Sequence, residues 1–330
     1  MTTPFRILVI RLSSLGDVIH ALPAAASLKH SFSQSTLAWV IKQRWAPLLE
    51  SNPYVDEVIP FERTASGLVA LRRRLRAQRF DLIVDFQGLI QSALVAAAAR
   101  GDKIVGLSRS QARESLAALF YSTGVRTTAA HRVDQNLEVA SAAGATSLLR
   151  TFPLPEGKPE GDLPSGAFVL ACPLAGWKWK QWPLDHYAEL ARLLQDSLGV
   201  PLVVNGPPEA AATLANISGA RIHCSGLPGL IHATRRAAAV IGVDSGPLHL
   251  AAALAKPGVA IYGPTHPASH GPYGGTIQVL RDAGAITSYK RREEENPAMR
   301  AVTPDQILEL LRAVWAHGSI APGHPARNRA

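Results

Sequence analysis

Short runs of valine, isoleucine and leucine alternate with longer amphipathic segments along most of this chain. Such runs are typical of strands that are buried on both faces, and helices between them predict a parallel sheet covered on each side. One of the expected helices is QRWAPLLES, residues 43–51. The pattern therefore predicts an α/β fold. The predicted strands of the first half are RILVI, STLAWVI, VDEVIPF, FDLIVDF and DKIVGL.

The alternation of predicted strands and helices is interrupted once along the chain and then resumes. Residues 153–166, PLPEGKPEGDLPSG, are rich in proline, glycine and glutamate, which is typical of a linker. After them AFVLAC opens a second set of strands, with a helix expected over residues 208–219. A chain of 330 residues also exceeds the usual size of one hydrophobic core. We therefore expect two Rossmann-like domains, residues 1–155 and 156–330, facing each other across a cleft, with a C-terminal helix and a flexible tail, APGHPARNRA.

The sequence lacks the features that are usual in several classes of protein. No GxGxxG follows the first strand of either half, which argues against a hydride-transfer enzyme. Cys172 and Cys224 lack CxxC spacing, so we expect buried free thiols rather than a disulfide or a metal site. No apolar run is long enough to span a bilayer, and Arg11 interrupts the first one, which predicts a cytoplasmic protein.

The positive charge is concentrated in the first half. Residues 1–155 hold 18 Lys and Arg against 11 Asp and Glu, whereas residues 156–330 hold 16 against 14. Much of the excess belongs to a predicted helix within residues 68–79, where Leu68, Leu71 and Leu75 have helical spacing and arginines occupy the other faces. Such charge is typical of a solvated helix face, and it also suits an anionic surface or a phosphorylated ligand. No nucleic-acid-binding module accompanies it, so we expect no nucleic-acid partner.

The loop within VDSGPLHLAAAL is a candidate anion site. It ends a strand at Val243 and begins a helix near Pro247, with Asp244, Ser245 and Gly246 in the turn. Free backbone N–H groups and the positive end of such a helix suit a phosphate. Serine and proline at these positions are equally ordinary start signals for a helix.

A second candidate loop, PLAGWKWKQWPLDHY, interleaves lysines with tryptophans after Cys172. A lysine such as Lys180 can neutralise a departing diphosphate as a point charge. The alternative is a surface loop in which Trp182 and Pro183 only fix the start of the next helix. Glu209, after the strand VPLVVNG, is placed to bind the two hydroxyls of a ribose.

The segment RLSSLGDVIHALPA places Asp17 just after the first strand, in the first turn of a helix. The helix dipole stabilises an aspartate there, which is a purely structural role. A carboxylate at the mouth of one domain, facing a diphosphate site in the other, is also placed to take a proton from an incoming hydroxyl. A hydroxyl and a nucleotide-sugar together indicate glycosyl transfer.

Several motifs follow one another in unbroken order from residue 6 to about residue 315: RLSSLGDVIHALPA, FDLIVDFQGLIQSAL, SQARESLAALFY, the K-x-WP of Lys180 to Pro183, VDSGPLHLAAAL and YGPTHP. In this order they resemble glycosyltransferase family 9, the heptosyltransferases of lipopolysaccharide core synthesis, which have the GT-B fold. The piece QARESLAALFY favours the family member that acts first.

The resemblance implies an inverting, metal-independent transfer of L-glycero-D-manno-heptose from ADP-heptose to Kdo of Kdo2-lipid A, without a cofactor. It implies an acceptor-binding first domain and a donor-binding second domain. We further expect a cytoplasmic monomer, peripherally associated with the anionic inner face of the inner membrane.

The resemblance also assigns roles to residues. Asp17 matches the general base, and Lys180 matches a lysine at the donor phosphates, so these two are the predicted catalytic residues. Ala175 and Gly176 stand where threonines are common, and backbone N–H groups can substitute for the missing hydroxyls. His249 alternatively suits a structural helix residue. The predicted donor set is Gly16, Ala175, Gly176, Lys180, Glu209, Asp244, Ser245, Gly246 and His249, and the acceptor set is Ser14, Gln87, Arg113 and Arg132.

Two alternative functions stay open from the sequence. One is a related family member that uses another heptose acceptor or another nucleotide-sugar. The other is a non-catalytic nucleotide-binding protein. Turnover of ADP-heptose with a Kdo-bearing acceptor separates the non-catalytic protein from an enzyme, whereas the acceptor region, residues 61–132, would decide between family members.

Overall fold

The computed structural model describes residues 4–314. The chain divides into two compact units, Met1–Pro155 and Glu156–Ala330. Each unit contains one six-stranded parallel sheet, as expected for the predicted α/β class. The predicted flexible tail, residues 321–330, lies outside the described residues.

The first unit alternates strands with helices. Two 3-10 helices, Gln43–Leu49 and Ser115–Phe120, lie in its connections. Its α-helices are α1 (Leu15–Ser31), α2 (Ala65–Arg76), α3 (Ile90–Ala98) and α4 (Arg132–Ala143). Its strands are β1 (Arg6–Ile10), β2 (Thr36–Lys42), β3 (Glu57–Phe61), β4 (Arg79–Phe80), β5 (Leu82–Asp85), β6 (Arg100–Gly101), β7 (Ile104–Leu107) and β8 (Thr123–Val125).

The six-stranded sheet of the first unit has the order β3-β2-β1-β5-β7-β8, and β4 pairs with β6 separately. Because β2 and β5 flank β1, the strand order reverses at this point, and Ile10 has Val40 on one side and Asp85 on the other. Ligands of open α/β sheets bind beyond the carboxyl ends of the strands at such a switch point. The loops that follow β1 and β5 are therefore the first places to examine.

Apolar side chains cover both faces of this sheet. On one face, Leu8 and Ile10 of β1 belong to a buried cluster that includes Leu71 and Leu75 of α2 and Val95 of α3. The alternate residues of β1 are also buried and point to the opposite face, because successive side chains of a strand alternate. The helices α2 and α3 thus form one layer over the sheet.

The second unit repeats this plan. Its sheet has the order β11-β10-β9-β12-β13-β14, all parallel, so the switch point lies between β9 and β12. Two 3-10 turns, Lys178–Lys180 and Pro208–Ala210, precede helices. The strands are β9 (Val169–Cys172), β10 (Leu202–Gly206), β11 (Arg221–Cys224), β12 (Ala239–Val243), β13 (Gly258–Tyr262) and β14 (Ile277–Arg281). The helices are α5 (Leu184–Leu198), α6 (Ala211–Leu214), α7 (Leu227–Arg236), α8 (Gly246–Ala253), α9 (Pro267–His270), α10 (Pro297–Ala301) and α11 (Pro304–Val314).

Two apolar clusters sandwich this second sheet. One contains Ile241 and Val243 of β12 with side chains of α5 and α11. The other contains Val240 with side chains of α7 and α8. The carboxyl ends of β9 and β12 are therefore held by packing on both faces.

Some local expectations are wrong. The helix expected over 43–51 is a 3-10 helix that spans only Gln43–Leu49, and Pro47 has no N–H for an α-helical hydrogen bond. Only Ala211–Leu214 of the helix expected over 208–219 is α-helical. Leu68 is 48% exposed, whereas Leu71 and Leu75 are buried.

The two cysteines are free, as expected, but they differ in burial. Cys172 is buried, and burial raises the pKa of its thiol to about 12. Cys224 is only partly buried, so the expectation of two buried thiols holds for Cys172 alone. No helix within residues 4–314 is long and apolar enough to cross a membrane.

Candidate active site

Asp17 lies in the loop region that follows β1, at the switch point of the first sheet. Residues 11–14 connect β1 to α1, and Asp17 occupies the first turn of that helix. The backbone N–H and the hydroxyl of Ser14 both donate to Oδ2 of Asp17, at 3.0 and 2.9 Å. This carboxylate satisfies a free backbone donor at the helix start, and 22% of its side chain stays exposed. Gly16, a predicted donor residue, is buried beside it.

A buried arginine holds the other oxygen of this carboxylate. Nη2 of Arg11 lies 2.5 Å from Oδ1 of Asp17, and only 6% of the Arg11 side chain is exposed. Nη1 of Arg11 donates to the carbonyl of Phe86. Burial alone raises the pKa of Asp17, but Arg11, with Ser14 and His20 in support, holds that pKa well below its usual value. Asp17 is therefore ionised at neutral pH, which a proton acceptor requires.

Gln87, a predicted acceptor contact, supports the same loop. Its Oε1 accepts a hydrogen bond from the backbone N–H of Leu12 at 2.7 Å. Its own backbone N–H donates to Asp85 at 2.8 Å, and the Tyr121 hydroxyl donates to the other oxygen of Asp85 at 2.7 Å. Burial raises the pKa of Asp85, which is fully enclosed. The end of β5 thus fixes the backbone that presents Asp17, and the role of Gln87 toward an acceptor stays a prediction.

Two further arginines, both predicted, lie in this region: Arg132 near Asp17, and Arg113 near Arg132. Arg132 is the first residue of α4, and burial and Arg11 lower the pKa of its guanidinium while Asp17 opposes that shift. Arg113 lowers the same pKa further. Arg132 thus lies close enough to Asp17, Arg11 and Arg113 for their charges to act on it. The local excess of positive charge suits an anionic molecule.

In the second unit, Lys180 and Asp244 form an ion pair at the switch point. Lys180 ends the 3-10 turn after β9, and Asp244 follows β12 directly. Nζ of Lys180 lies 2.5 Å from Oδ2 of Asp244, and Nε2 of His249 lies 3.8 Å from Oδ1. Burial alone raises the pKa of Asp244, but Lys180, with His249 and Thr265 in support, lowers it below its usual value. Lys180 thus has an ionised counter-ion at this edge of the sheet.

A tryptophan ring supports this lysine. Nζ of Lys180 lies 4.3 Å from the ring centroid of Trp177, and Cζ of Arg291 lies 5.4 Å from the same centroid. Arg292 lies 4.7 Å from the ring of Trp179. Contacts of this kind contribute about 0.5 to 2 kcal/mol each. The sequence shows the interleaved lysines and tryptophans but gives no signal for the two arginines, which lie in a distant segment.

The remaining predicted donor residues lie in the loops after β9, β10 and β12. The carbonyl of Ala175 accepts from Nε2 of Gln181 at 3.0 Å. A Cβ added at Gly176 would meet no atom within 4 Å, so packing does not require glycine there. Glu209 is exposed in the 3-10 turn that follows β10.

Ser245 and Gly246 begin α8. Ser245 is the N-cap residue, but its hydroxyl accepts no hydrogen bond from the helix, contrary to its ordinary role as a start signal. That hydroxyl is buried and makes no hydrogen bond within residues 4–314. Gly246, the first helical residue, is half-buried. No cluster of three or more His, Cys, Asp or Glu side chains in this part of the chain could hold a metal ion.

The predicted residues therefore form one group in each unit. The first group brings together Ser14, Asp17 and Arg132, with Arg113 near Arg132, and adds Arg11, which was not among the predicted site residues. The second group brings together Lys180, Asp244 and His249 and adds Trp177. Arg11 had one sequence signal: an arginine directly after a buried strand requires a partner.

Comparisons with known proteins cover both units. Residues 68–299 match the sequence model of the family described as Glycosyltransferase family 9 (heptosyltransferase). Lipopolysaccharide heptosyltransferase 1 of Escherichia coli K12 is 31% identical over 303 residues, covering 84% of this chain and 93% of the relative. Lipopolysaccharide heptosyltransferase 2 of Salmonella typhimurium is 30% identical over 364 residues, covering 96% of this chain and all of the relative.

A solved structure gives the same result for the fold. The E. coli heptosyltransferase WaaC with ADP-2-deoxy-2-fluoro heptose superposes with a TM-score of 0.75 at 27% identity, covering 94% of this chain and 99% of that one. The similarity to a solved heptosyltransferase extends over both units and confirms the predicted GT-B class.

Proposed function

The chain belongs to glycosyltransferase family 9, and from this membership we propose that it transfers L-glycero-D-manno-heptose from ADP-heptose to a Kdo residue of Kdo2-lipid A. It is a heptosyltransferase of lipopolysaccharide core synthesis, so the predicted enzyme class is confirmed and the non-catalytic alternative is excluded. The individual donor and acceptor are the proposed part. Support for the donor comes from the solved relative, which carries an ADP-heptose analogue.

The observation that carries the acceptor proposal is the cluster of arginines around Asp17. Kdo is an acidic sugar, and its carboxylate requires a cation next to the hydroxyl that reacts. Arg132 supplies positive charge near the base and Arg113 lies near Arg132, while Arg11 is occupied by Asp17 and Phe86. A neutral sugar would gain little from this arrangement, whereas an anionic one gains charge-assisted hydrogen bonds.

In the proposed reaction Asp17 is the general base. The acceptor hydroxyl gives its proton to Asp17 while its oxygen bonds to the anomeric carbon, and the bond from that carbon to ADP breaks with its electron pair leaving on the diphosphate. Because the pKa of Asp17 is low, it is a weak base. It suits a late proton transfer from a hydroxyl that becomes acidic only near the transition state.

The leaving diphosphate is assigned to the second unit. Lys180 supplies a cation, and the start of α8 supplies backbone N–H groups and the positive end of a helix. Asp244 holds Lys180 in the described structure, and we propose that the phosphates share the lysine with it. Ala175 and Gly176 offer no hydroxyl, so backbone N–H groups of this loop take part in phosphate binding. Glu209 is assigned to the ribose hydroxyls.

A second acceptor has support from the comparisons. The heptosyltransferase 2 of S. typhimurium is 30% identical, and the alignment covers more of this chain than that with the heptosyltransferase 1 of E. coli. Under this alternative the acceptor already carries a heptose. The arginine cluster favours Kdo, but a phosphorylated sugar would also satisfy it.

The test is a panel of donors and acceptors with product mass as the readout. Purified protein is incubated with ADP-heptose or another nucleotide-sugar, and with Kdo2-lipid A or the same lipid already carrying one heptose, with and without EDTA. We expect one heptose to be added to Kdo2-lipid A at an unchanged rate in EDTA. Product formed only on the heptose-bearing lipid would establish the alternative acceptor.

A further inference from the structure

Five of the eleven exposed large apolar side chains within residues 4–314 lie on three neighbouring elements of the first unit. These elements are α2, α3 and the 3-10 helix Ser115–Phe120, and α3 packs against both of the others. The exposed fraction of these side chains reaches 69%, at Val69 and at Leu119. Soluble surfaces carry single exposed apolar residues routinely, but a group on adjacent elements indicates an interaction surface. The five are Leu68, Val69, Leu94, Leu116 and Leu119.

The same surface carries positive charge on α2. Positions three, four and seven residues apart share a helix face, so Val69 lies with Arg72, Arg73 and Arg76 on the side away from the buried residues of α2. All three arginines are exposed, and none has a carboxylate within 4 Å in the described part of the chain. Arg74, by contrast, pairs with Glu57 at 2.9 Å. The exposed face of α2 is therefore both basic and apolar.

We propose that the outer surface of α2, α3 and the 3-10 helix Ser115–Phe120 binds an anionic lipid bilayer. Basic and apolar side chains on one face are what an interfacial helix presents to such a membrane: arginines meet the anionic headgroups, and leucines enter the boundary between headgroups and acyl chains. A protein partner would need acidic and apolar groups in one matching arrangement, whereas a bilayer supplies both without a specific shape. The unpaired arginines thus favour the bilayer.

This surface is continuous along the chain with the proposed acceptor side. Arg113, which influences Arg132 beside Asp17, lies two residues before the 3-10 helix that carries Leu116 and Leu119. Docking through these leucines places the acceptor arginines near the headgroup level. The inference rests on the proposed function in one respect: the acceptor is taken to be anchored in that bilayer.

The binding test uses the full-length protein and two kinds of vesicle, phosphatidylcholine alone and phosphatidylcholine containing phosphatidylglycerol, separated by flotation. We expect binding only to the anionic vesicles, with loss as salt is raised. The triple variant R72Q/R73Q/R76Q should bind about 100-fold more weakly, from the usual contribution of a basic residue near an anionic surface. L116S/L119S should bind at least about tenfold more weakly.

The matched control is R221Q/I222S in the second unit, which removes an exposed arginine and an apolar side chain that is 45% exposed. We expect it to bind vesicles like the wild type. Thermal unfolding verifies that all variants are folded. No vesicle binding by the wild type, or equal loss in the control, would overturn the proposed surface.

Turnover separates docking from chemistry. L116S/L119S should lose activity toward Kdo2-lipid A in anionic vesicles, in proportion to its binding, and keep wild-type activity toward a deacylated, water-soluble Kdo acceptor. Equal loss with both acceptors would place these residues in the site and overturn the docking role. If the proposed function is wrong, the wild type turns over neither acceptor, while its vesicle binding still tests the surface.

Discussion

Each unit has an ionised aspartate at the switch point of its sheet, but the two aspartates have different partners. Asp17 pairs with Arg11, whose side chain is 6% exposed and is also anchored to a carbonyl. Asp244 pairs with Lys180, whose flexible stem leaves a 3-10 turn and lies on the ring of Trp177. The Asp17 side chain is 22% exposed and that of Asp244 is 10% exposed.

The difference indicates two separate uses of the same kind of pair. Arg11 is buried and is held by both Asp17 and the carbonyl of Phe86, so we propose that it orients Asp17 and lowers its pKa, while the partly exposed carboxylate is the reactive group. A lysine presents a mobile point charge with three donors, so Lys180 can hold Asp244 and a phosphate together. We therefore propose the anion, Asp17, as the functional group of the first unit and the cation, Lys180, as that of the second.

The largest expected effect comes from Asp17, the proposed base. Asp17→Asn keeps the shape of the side chain and removes its basicity, so kcat should fall about 10²- to 10⁴-fold. Binding of ADP-heptose should be unchanged because we assign it to the second unit. Steady-state kinetics and calorimetric donor titration measure the two quantities.

The matched control for this variant is Asp185→Asn. Asp185 also lies in the first turn of a helix and also pairs with an arginine, Arg300, at 2.9 Å. It shares the helix-dipole role without the proposed chemistry, so kcat should stay near the wild-type value. Equal losses in the two variants, or full activity in Asp17→Asn, would contradict the base assignment.

The next largest effect is expected when the charge of Lys180 in the second unit is removed. Lys180→Met keeps most of the aliphatic stem and removes the charge at the departing diphosphate, so kcat should fall about 10²- to 10³-fold. Lys178→Met, an exposed lysine of the same 3-10 turn, is the control and should retain near-wild-type turnover. If both lysines prove equally dispensable, the second unit does not use the cation as proposed.

The comparison also shows what the sequence can predict. The strands and the loops after them follow from local apolar runs, so Asp17 and Asp244 could be placed beside strand ends in advance. The partners of Gln87 and Trp177 could not, because Leu12 and Arg291 are far away along the chain and meet them only in the folded unit. Leu68 has the same helical spacing as the buried Leu71 and Leu75, yet it is exposed. Helical spacing alone does not show how far along α2 the contact with the sheet extends.

Removal of the rigid arginine should act mainly on stability. Arg11→Met leaves a largely buried carboxylate without its partner, so the free energy of unfolding should fall by about 3 to 5 kcal/mol at neutral pH. The folded-state pKa of Asp17 is depressed, so its stabilising contribution is present above the ordinary pKa, near 3.8, and is lost as the pH falls through the lower folded-state value. The difference between wild type and variant should therefore shrink in acid.

Denaturant unfolding at several pH values measures this difference. Adding Asp17→Asn to Arg11→Met should recover part of the stability, because no buried charge is then left unpaired. Arg74→Met, which breaks the exposed pair with Glu57, is the control and should cost at most about 1 kcal/mol. A pH-independent loss in Arg11→Met would assign the effect to packing rather than to the ion pair.

The smallest effect concerns the ring under Lys180. Trp177→Leu keeps an apolar side chain and removes a cation–π contact of about 0.5 to 2 kcal/mol, so the KM for ADP-heptose should rise about 2- to 30-fold while the fold is preserved. Trp179→Leu is the control, since the ring of Trp179 meets Arg292 rather than Lys180. A larger rise in KM for Trp177→Leu than for Trp179→Leu would support the proposal that the Trp177 ring positions the Lys180 ammonium. Equal changes would mean that the loop as a whole, and not the contact at 4.3 Å, positions Lys180.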